Sequence, residues 1–295
     1  MIATLAAEWF WIRRRRALLL AGAAAAMIAA VVPLARWLSS DADLSAAIAR
    51  AEREAAEMAA AGVDVPVAGA FVETRYLLAE QAPVDTAGAA LALALVGLLA
   101  ATLSVGSEWR TGTVRLSFVD PAERTGPTFA RVLLWGACWS VVGAAALVVL
   151  QGGLLLVGHD RGLTEGAAAA MFVWPLVRGV LTIGVGAAVG AALATVFRSE
   201  TPVVVLLLLY VLVAEIVLLG LHGAAGYRSP GADLAGWIVS ADVGAVLPSS
   251  CGGAPRCNEL HAITAGEPGV YLALSSAASA LVLGAAVSAR RPVWR

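Results

Sequence analysis

The stretch EWRTGTVRLSFVDPAERT, residues 108–125, carries six charged side chains and separates two long apolar runs, roughly 86–106 and 128–157. Such a pattern fits a polar turn between two helices that each cross a lipid bilayer. A spanning helix needs about 20 mostly apolar residues for a hydrocarbon core of about 30 Å, and both flanking runs meet that length. Working outward, four further runs do the same: roughly 17–38, 167–197, 202–221 and 269–289. The chain of 295 residues is 60% hydrophobic and 14% charged, with its charges gathered in patches. A soluble domain spreads its charges differently. The expected fold class is therefore an all-α integral membrane protein with six transmembrane helices and a single domain over 1–295. The third and fourth runs would reach about 45 Å as helix, too short for two crossings and a turn, so each is read as one tilted helix.

Arginine sets the orientation. All 20 basic residues are Arg and none is Lys. With the N-terminus inside, the inner segments hold Arg13, Arg14, Arg15, Arg16, Arg110, Arg115, Arg124, Arg131, Arg198, Arg290, Arg291 and Arg295. These 12 face only five acids, Glu8, Glu108, Asp120, Glu123 and Glu200, a net of +7, while the remainder of the chain nets −8. Basic residues in short loops stay on the cytoplasmic side, so both termini are expected there, and the segment 107–127 becomes an inner loop. The N-terminal Arg run and the apolar stretch behind it resemble a signal peptide, but the stretch exceeds 7–15 residues and PLAR is a poor cleavage site. It is read as a retained first span.

Two outer loops, 39–85 and 222–268, have substance. The first contains DADLSAAIARAEREAAEMAAAG, where Arg50/Glu54 and Arg53/Glu57 stand four apart on a solvated helix that Gly62 is expected to end. The second contains ADLAGWIVSADVGAVLP, apolar but interrupted by Asp233 and Asp242. It is too short and too acidic to cross, and is read as a re-entrant segment before the last span. In the same loop, Cys251 and Cys257 bracket CGGAPRC, a candidate disulfide if it faces an oxidising compartment. Two unpaired loop thiols are the alternative. Cys138 sits in an apolar run as a small core residue.

The inner loop is too small to fold alone, which leaves a solvated connector or a docking surface. Its residues argue for order. Val114, Leu116, Phe118 and Val119 surround Arg115, and DPAE places Asp120 as N-cap, Pro121 at the first helical position and Glu123 at the capping-box position. At the N-terminus, LAAEWFWIRRRR sets Trp9, Phe10, Trp11 and Ile12 beside four Arg, an amphipathic helix suited to the inner leaflet.

These two inner stretches, AEWFWIRRRR before the first span and GSEWRTGTVRLSFVDPAERTGPTFAR after the second, resemble the ABC-2 type permeases, membrane subunits of type V ABC exporters. That family carries a Glu-x-x-x-Gly-Thr signature after the second span and a Pro and an Arg before the third. Glu108, Gly112, Thr113, Pro121, Arg124 and Arg131 stand in matching places. Arg131 replaces a common Lys and keeps its charge. The resemblance implies a half-transporter that forms a homodimer and pairs with two copies of a cytosolic ATPase subunit. The loop after the second span would be the coupling helix seated in that ATPase, with Arg115 among its contacts.

The absence of Lys is consistent with this division of labour. A P-loop needs a Lys at the β- and γ-phosphates, and a Schiff-base enzyme needs a Lys amine; the chain supports neither. No cofactor is expected on the chain itself, and ATP and Mg would sit on the partner ATPase. His159, His222 and His261 lie far apart with no His-Glu-x-x-His, and no Gly-x-Ser-x-Gly occurs, so neither a metal site nor catalytic residues are assigned. The expected setting is a bacterial plasma membrane, with lipid and protein partners and no nucleic acid.

Within the spans, two ionisable residues fall in apolar surroundings, Arg178 and Glu215. By helical rise they lie about 28 Å and 21 Å from the inner ends of their spans, close enough to pair, and a structural ion pair or snorkelling is the simpler reading beside substrate contact. Gly186 and Gly190 form a small-xxx-small pair that suits close packing within one subunit. The alternative function from another class is a non-transporting membrane scaffold or sensor whose outer loops form a receptor surface. A secondary transporter would show inverted repeats, and no internal repeat stands out. Apolar walls suit lipids, amphiphilic antibiotics or peptides alike.

Overall fold

The computed structural model describes residues 16–40, 43–60, 76–112, 125–164, 169–213, 230–239, 243–249 and 257–263. The chain is mostly helical. Helices α1 (Arg16–Ser39), α2 (Leu44–Ala60), α3 (Leu78–Thr111), α4 (Thr125–Arg161), α5 (Ala170–Phe197), α6 (Thr201–Tyr210) and α7 (Pro230–Val239) are joined by four short strands. Strand β1 (Tyr76–Leu77) pairs in parallel with β2 (Gly162–Leu163). Strands β3 (Val243–Ser249) and β4 (Cys257–Ile263) form an antiparallel hairpin.

Among the described residues, four helical stretches are long and apolar enough to cross a bilayer: Leu18–Ser39, Leu78–Thr111, Phe129–Arg161 and Met171–Phe197, each with mean hydropathy above 2. In hydrocarbon every backbone N–H and C=O must be satisfied within its own segment, and a helix does that. The fifth expected span begins with α6, an apolar stretch described over Thr201–Val213. The sixth, 269–289, and the N-terminal amphipathic helix lie outside the described residues.

Boundaries differ from expectation at the end of the bundle that holds Asp85. The second span was drawn from residue 86, yet α3 begins at Leu78 and carries Pro83 and Asp85 in its first turns. Asp85 is tolerated there because its carboxylate accepts from Arg36 of α1 through Nε (3.0 Å) and Nη2 (2.7 Å). The segment between α1 and α3 contains helix α2. That helix is capped by Asp43, whose Oδ1 accepts from the Ser45 N–H at 2.9 Å, an N-cap bond. The apolar stretch 232–248 contributes to both α7, described to Val239, and β3, described from Val243, and Asp242 lies outside the described residues.

Glycines set the packing distances. A methyl group on Gly186 would lie 2.9 Å from the Ala94 carbonyl oxygen, and one on Gly190 would overlap the Leu98 carbonyl. Small residues let α5 and α3 touch backbone to backbone, and the Thr102 hydroxyl donates to the Gly190 carbonyl at 3.2 Å across that contact. Helix α4 closes the other side. Its Trp139 is fully buried with its indole lying on Gly97 of α3, and its Gly136 and Ser140 meet Gly184 of α5. Buried hydroxyls of Thr86, Thr182 and Thr195 donate to carbonyls one turn back, within their own helices. Helix α1 lies at the edge of the bundle, against α4 and α3.

Candidate functional site

The helices alternate in direction, so one end of the bundle gathers the start of α1, the end of α3, the start of α4 and the α5–α6 turn. This basic end holds the residues singled out in the sequence. Glu108 lies in the last turn of α3, where the negative end of the helix dipole disfavours it. It is held by Arg131 of α4, whose Nη1 stands 2.8 Å from its Oε2, with the two side chains only 11% and 7% exposed. The pair therefore ties the base of α3 to the base of α4 on either side of the charged segment.

Gly112 ends α3. Its backbone is left-handed (φ 72°, ψ 5°) and its N–H donates to the Trp109 carbonyl at 3.2 Å. That conformation is open to Gly and strained for other residues. A Gly four residues after Glu108 is thus required by the helix end itself, whatever the segment beyond it does. Thr113, Arg115, Pro121 and Arg124, with the capping arrangement at Asp120, lie outside the described residues.

The structure adds a third arm that the sequence reading used only as charge. Arg198, at the end of α5, is also left-handed (φ 54°), a strain of about 1–2 kcal/mol for a residue with a Cβ. Its guanidinium stacks over the Trp109 indole, 5.4 Å from the ring centroid. Two residues on, Glu200 precedes α6, where the positive helix end favours a carboxylate, and its Oε1 pairs with Arg110 Nη1 at 2.9 Å. Glu200 sits directly on Gly106: a Cβ there would lie 2.6–2.8 Å from its backbone nitrogen, Cβ and Oε2. Gly106, Trp109, Arg198 and Glu200 together bolt the α5–α6 turn to α3. The signal was present in GSEWR and FRSE, but no spacing rule connects segments about 90 residues apart.

At the opposite, acidic end a second cluster joins α1, α3 and α4. Tyr76 donates its hydroxyl to Asp85 Oδ2 at 3.1 Å, beside the Arg36 pair. Burial, and then the adjacent Asp85 charge, push the Tyr76 phenol above its ordinary value, so it remains a donor. Arg161, the last residue of α4, donates Nη1 to the carbonyls of Trp37 (2.9 Å) and Ser40 (3.3 Å) and stacks on Trp37. It caps the orphan carbonyls of α1.

Arg178 lies about 12 Å in from the start of α5. Its Nη1 donates to the Trp237 carbonyl at 2.5 Å, and its guanidinium lies 5.8 Å and 5.3 Å from the Trp174 and Trp237 ring centroids. Arg178 therefore holds α7 against α5, with Ile238 buried beside Trp237. Glu215, its expected partner, lies outside the described residues, as does Cys251. Cys257 begins β4, opposite Ser249. Among the described residues no group of His, Cys, Asp or Glu is arranged to hold a metal ion.

This architecture has the form of a multi-pass membrane protein, a bundle of four long apolar helices knotted by charge at both ends. No family model, characterised protein or solved structure matches the chain.

Proposed function

We propose that the chain is the permease subunit of an ATP-driven ABC exporter. Two copies form the substrate pathway, and two separate cytosolic ATPase subunits bind ATP and Mg and supply the chemistry that a Lys-free chain lacks. In this reading the basic end faces the cytoplasm of a bacterium, both termini included. The bundle has six spans, with 269–289 as the last, and α7 is the first arm of a re-entrant segment entering from outside.

The observation that supports it most is the buried Glu108–Arg131 pair, which brackets the charged inner segment. A push on residues 113–124 is delivered through that pair to the bases of α3 and α4 together, and through Arg110–Glu200 to the α5–α6 turn. A solvated connector has no need for a desolvated ion pair at its base. A scaffold or sensor would place its function at the acidic end and leave this knot without a task.

The test is reconstitution. The chain is expected to copurify with a P-loop ATPase, and Glu108→Ala is expected to abolish ATP-driven transport while leaving the protein inserted. Transport by the purified chain alone, or chemical labelling of residues 113–124 from the outside, would overturn the proposal.

A further inference from the structure

Among the described residues, the polar contacts that fasten helix α1 to other helices all lie at one end. At the acidic end, Arg36 grips Asp85 of α3 with two short hydrogen bonds, and Arg161 of α4 caps the carbonyls of Trp37 and Ser40 while stacking on Trp37. Just inside this clamp, Pro33 presses on Gly153 of α4 so closely that a Cβ there would lie 2.7 Å from the proline ring. Toward the basic end the described face of α1 that meets the bundle is wholly apolar: Ala29, Ala25 and Ala21, spaced four apart, are buried, and Leu18 and Ile28 pack partly buried beside them. Among the described residues of this half, no hydrogen bond or ion pair reaches another helix.

The difference between the halves decides which one moves. In a bilayer, lipid tails solvate an apolar helix face about as well as another helix does, so a purely apolar seam has little hold beyond van der Waals contact. The clamp consists of charge-assisted bonds whose separation would strand a carboxylate and two guanidinium groups. Pro33 divides the two regimes. It has no N–H for the Ala29 carbonyl and so weakens the helix at that turn.

We infer that α1 is a strap hinged at Pro33: its acidic end is fixed to α3 and α4, and its basic-end half swings off the bundle, opening a side crevice toward the bilayer. Leu20 lies 13 residues from Pro33, a lever of about 20 Å. A bend of about 20° at the proline then displaces Leu20 by about 7 Å. The inference holds whether or not the chain is an exporter, because it rests only on how α1 is fastened.

Double electron–electron resonance on the full-length protein in nanodiscs tests it. Spin labels would be placed in a cysteine-free background (Cys138→Ser, Cys251→Ser, Cys257→Ser). Leu20 with Leu133 reports the basic end, and Leu38 with Leu156 the acidic end; all four side chains point away from the core. The basic-end distance distribution is expected to be several ångströms broader than the acidic-end one. Pro33→Ala should narrow it to the acidic-end width, and Asp85→Asn should broaden the acidic-end pair. Equal widths at both ends, a basic-end width unchanged in Pro33→Ala, or an acidic-end pair indifferent to Asp85→Asn would each overturn the hinge.

Discussion

Replacing Glu108 by Gln tests the physical basis of the basic-end knot without reference to transport. The carboxylate and the Arg131 guanidinium are separated by 2.8 Å and are 11% and 7% exposed. An ion pair in water is worth about 0–1 kcal/mol. Removing one member of a buried pair costs about 3–5 kcal/mol, because the remaining charge keeps its desolvation penalty and loses its partner. The small residual exposure places Glu108→Gln near the lower figure, about 3 kcal/mol. Arg131→Gln should cost a similar amount, since Glu108 would then lose this cation at the negative end of α3. The double variant leaves no stranded charge, so the two losses should not add. The expected interaction energy in the cycle is about 2–3 kcal/mol. Equilibrium unfolding in mixed micelles measures all four corners. Additive losses, or a Glu108→Gln loss below about 0.5 kcal/mol, would show that the pair behaves as a solvated surface contact and would remove the rigid base from the functional argument.

Other consequences follow from the same geometry. Gly190→Ala should destabilise by about 1–3 kcal/mol through overpacking against the Leu98 backbone, whereas Gly22→Ala, where a Cβ meets nothing within 4 Å, should be neutral or stabilising; thermal unfolding of the two variants separates them. Gly112→Ala should cost about 1 kcal/mol through its left-handed backbone alone, visible as loss of helicity in the last turn of α3. Arg178→Met should free the α7 C-terminus and speed hydrogen exchange over 230–239, while unchanged protection would show that α7 is held by apolar packing. Hydrogen bonds from Ser45 lower the Asp43 carboxyl below its ordinary value of 3.8. Its contribution to α2 is therefore complete above that value and is lost as pH falls through the lower folded value. Carbonyl chemical shifts at the start of α2 should report this fraying in the wild type and not in Asp43→Asn, which keeps an N-cap without the titration.

The sequence alone determined the long apolar helices and the ends at which charge collects, because a hydrocarbon environment leaves a chain few choices. About 20 apolar residues in a row become a helix, and polar residues mark where it stops. Glu108 and Gly112 stand out in the sequence through the Glu-x-x-x-Gly-Thr pattern, whereas the left-handed helix end at Gly112 is seen only in the structure. Asp43 as the cap of α2, with its bond to Ser45, is a finding of the structure. What required the tertiary structure was every partner at a distance. Arg36 with Asp85, Arg161 with the end of α1, Glu200 with Gly106 and Arg110, and Arg178 with the Trp237 carbonyl join segments that share no spacing rule. That α3 extends eight residues before the apolar run at 86 belongs with these: Asp85 has the character of a loop residue until Arg36 is seen beside it. Local sequence carries information about one helix at a time, whereas burial of a charge is permitted only by the charge or dipole that another helix brings to it.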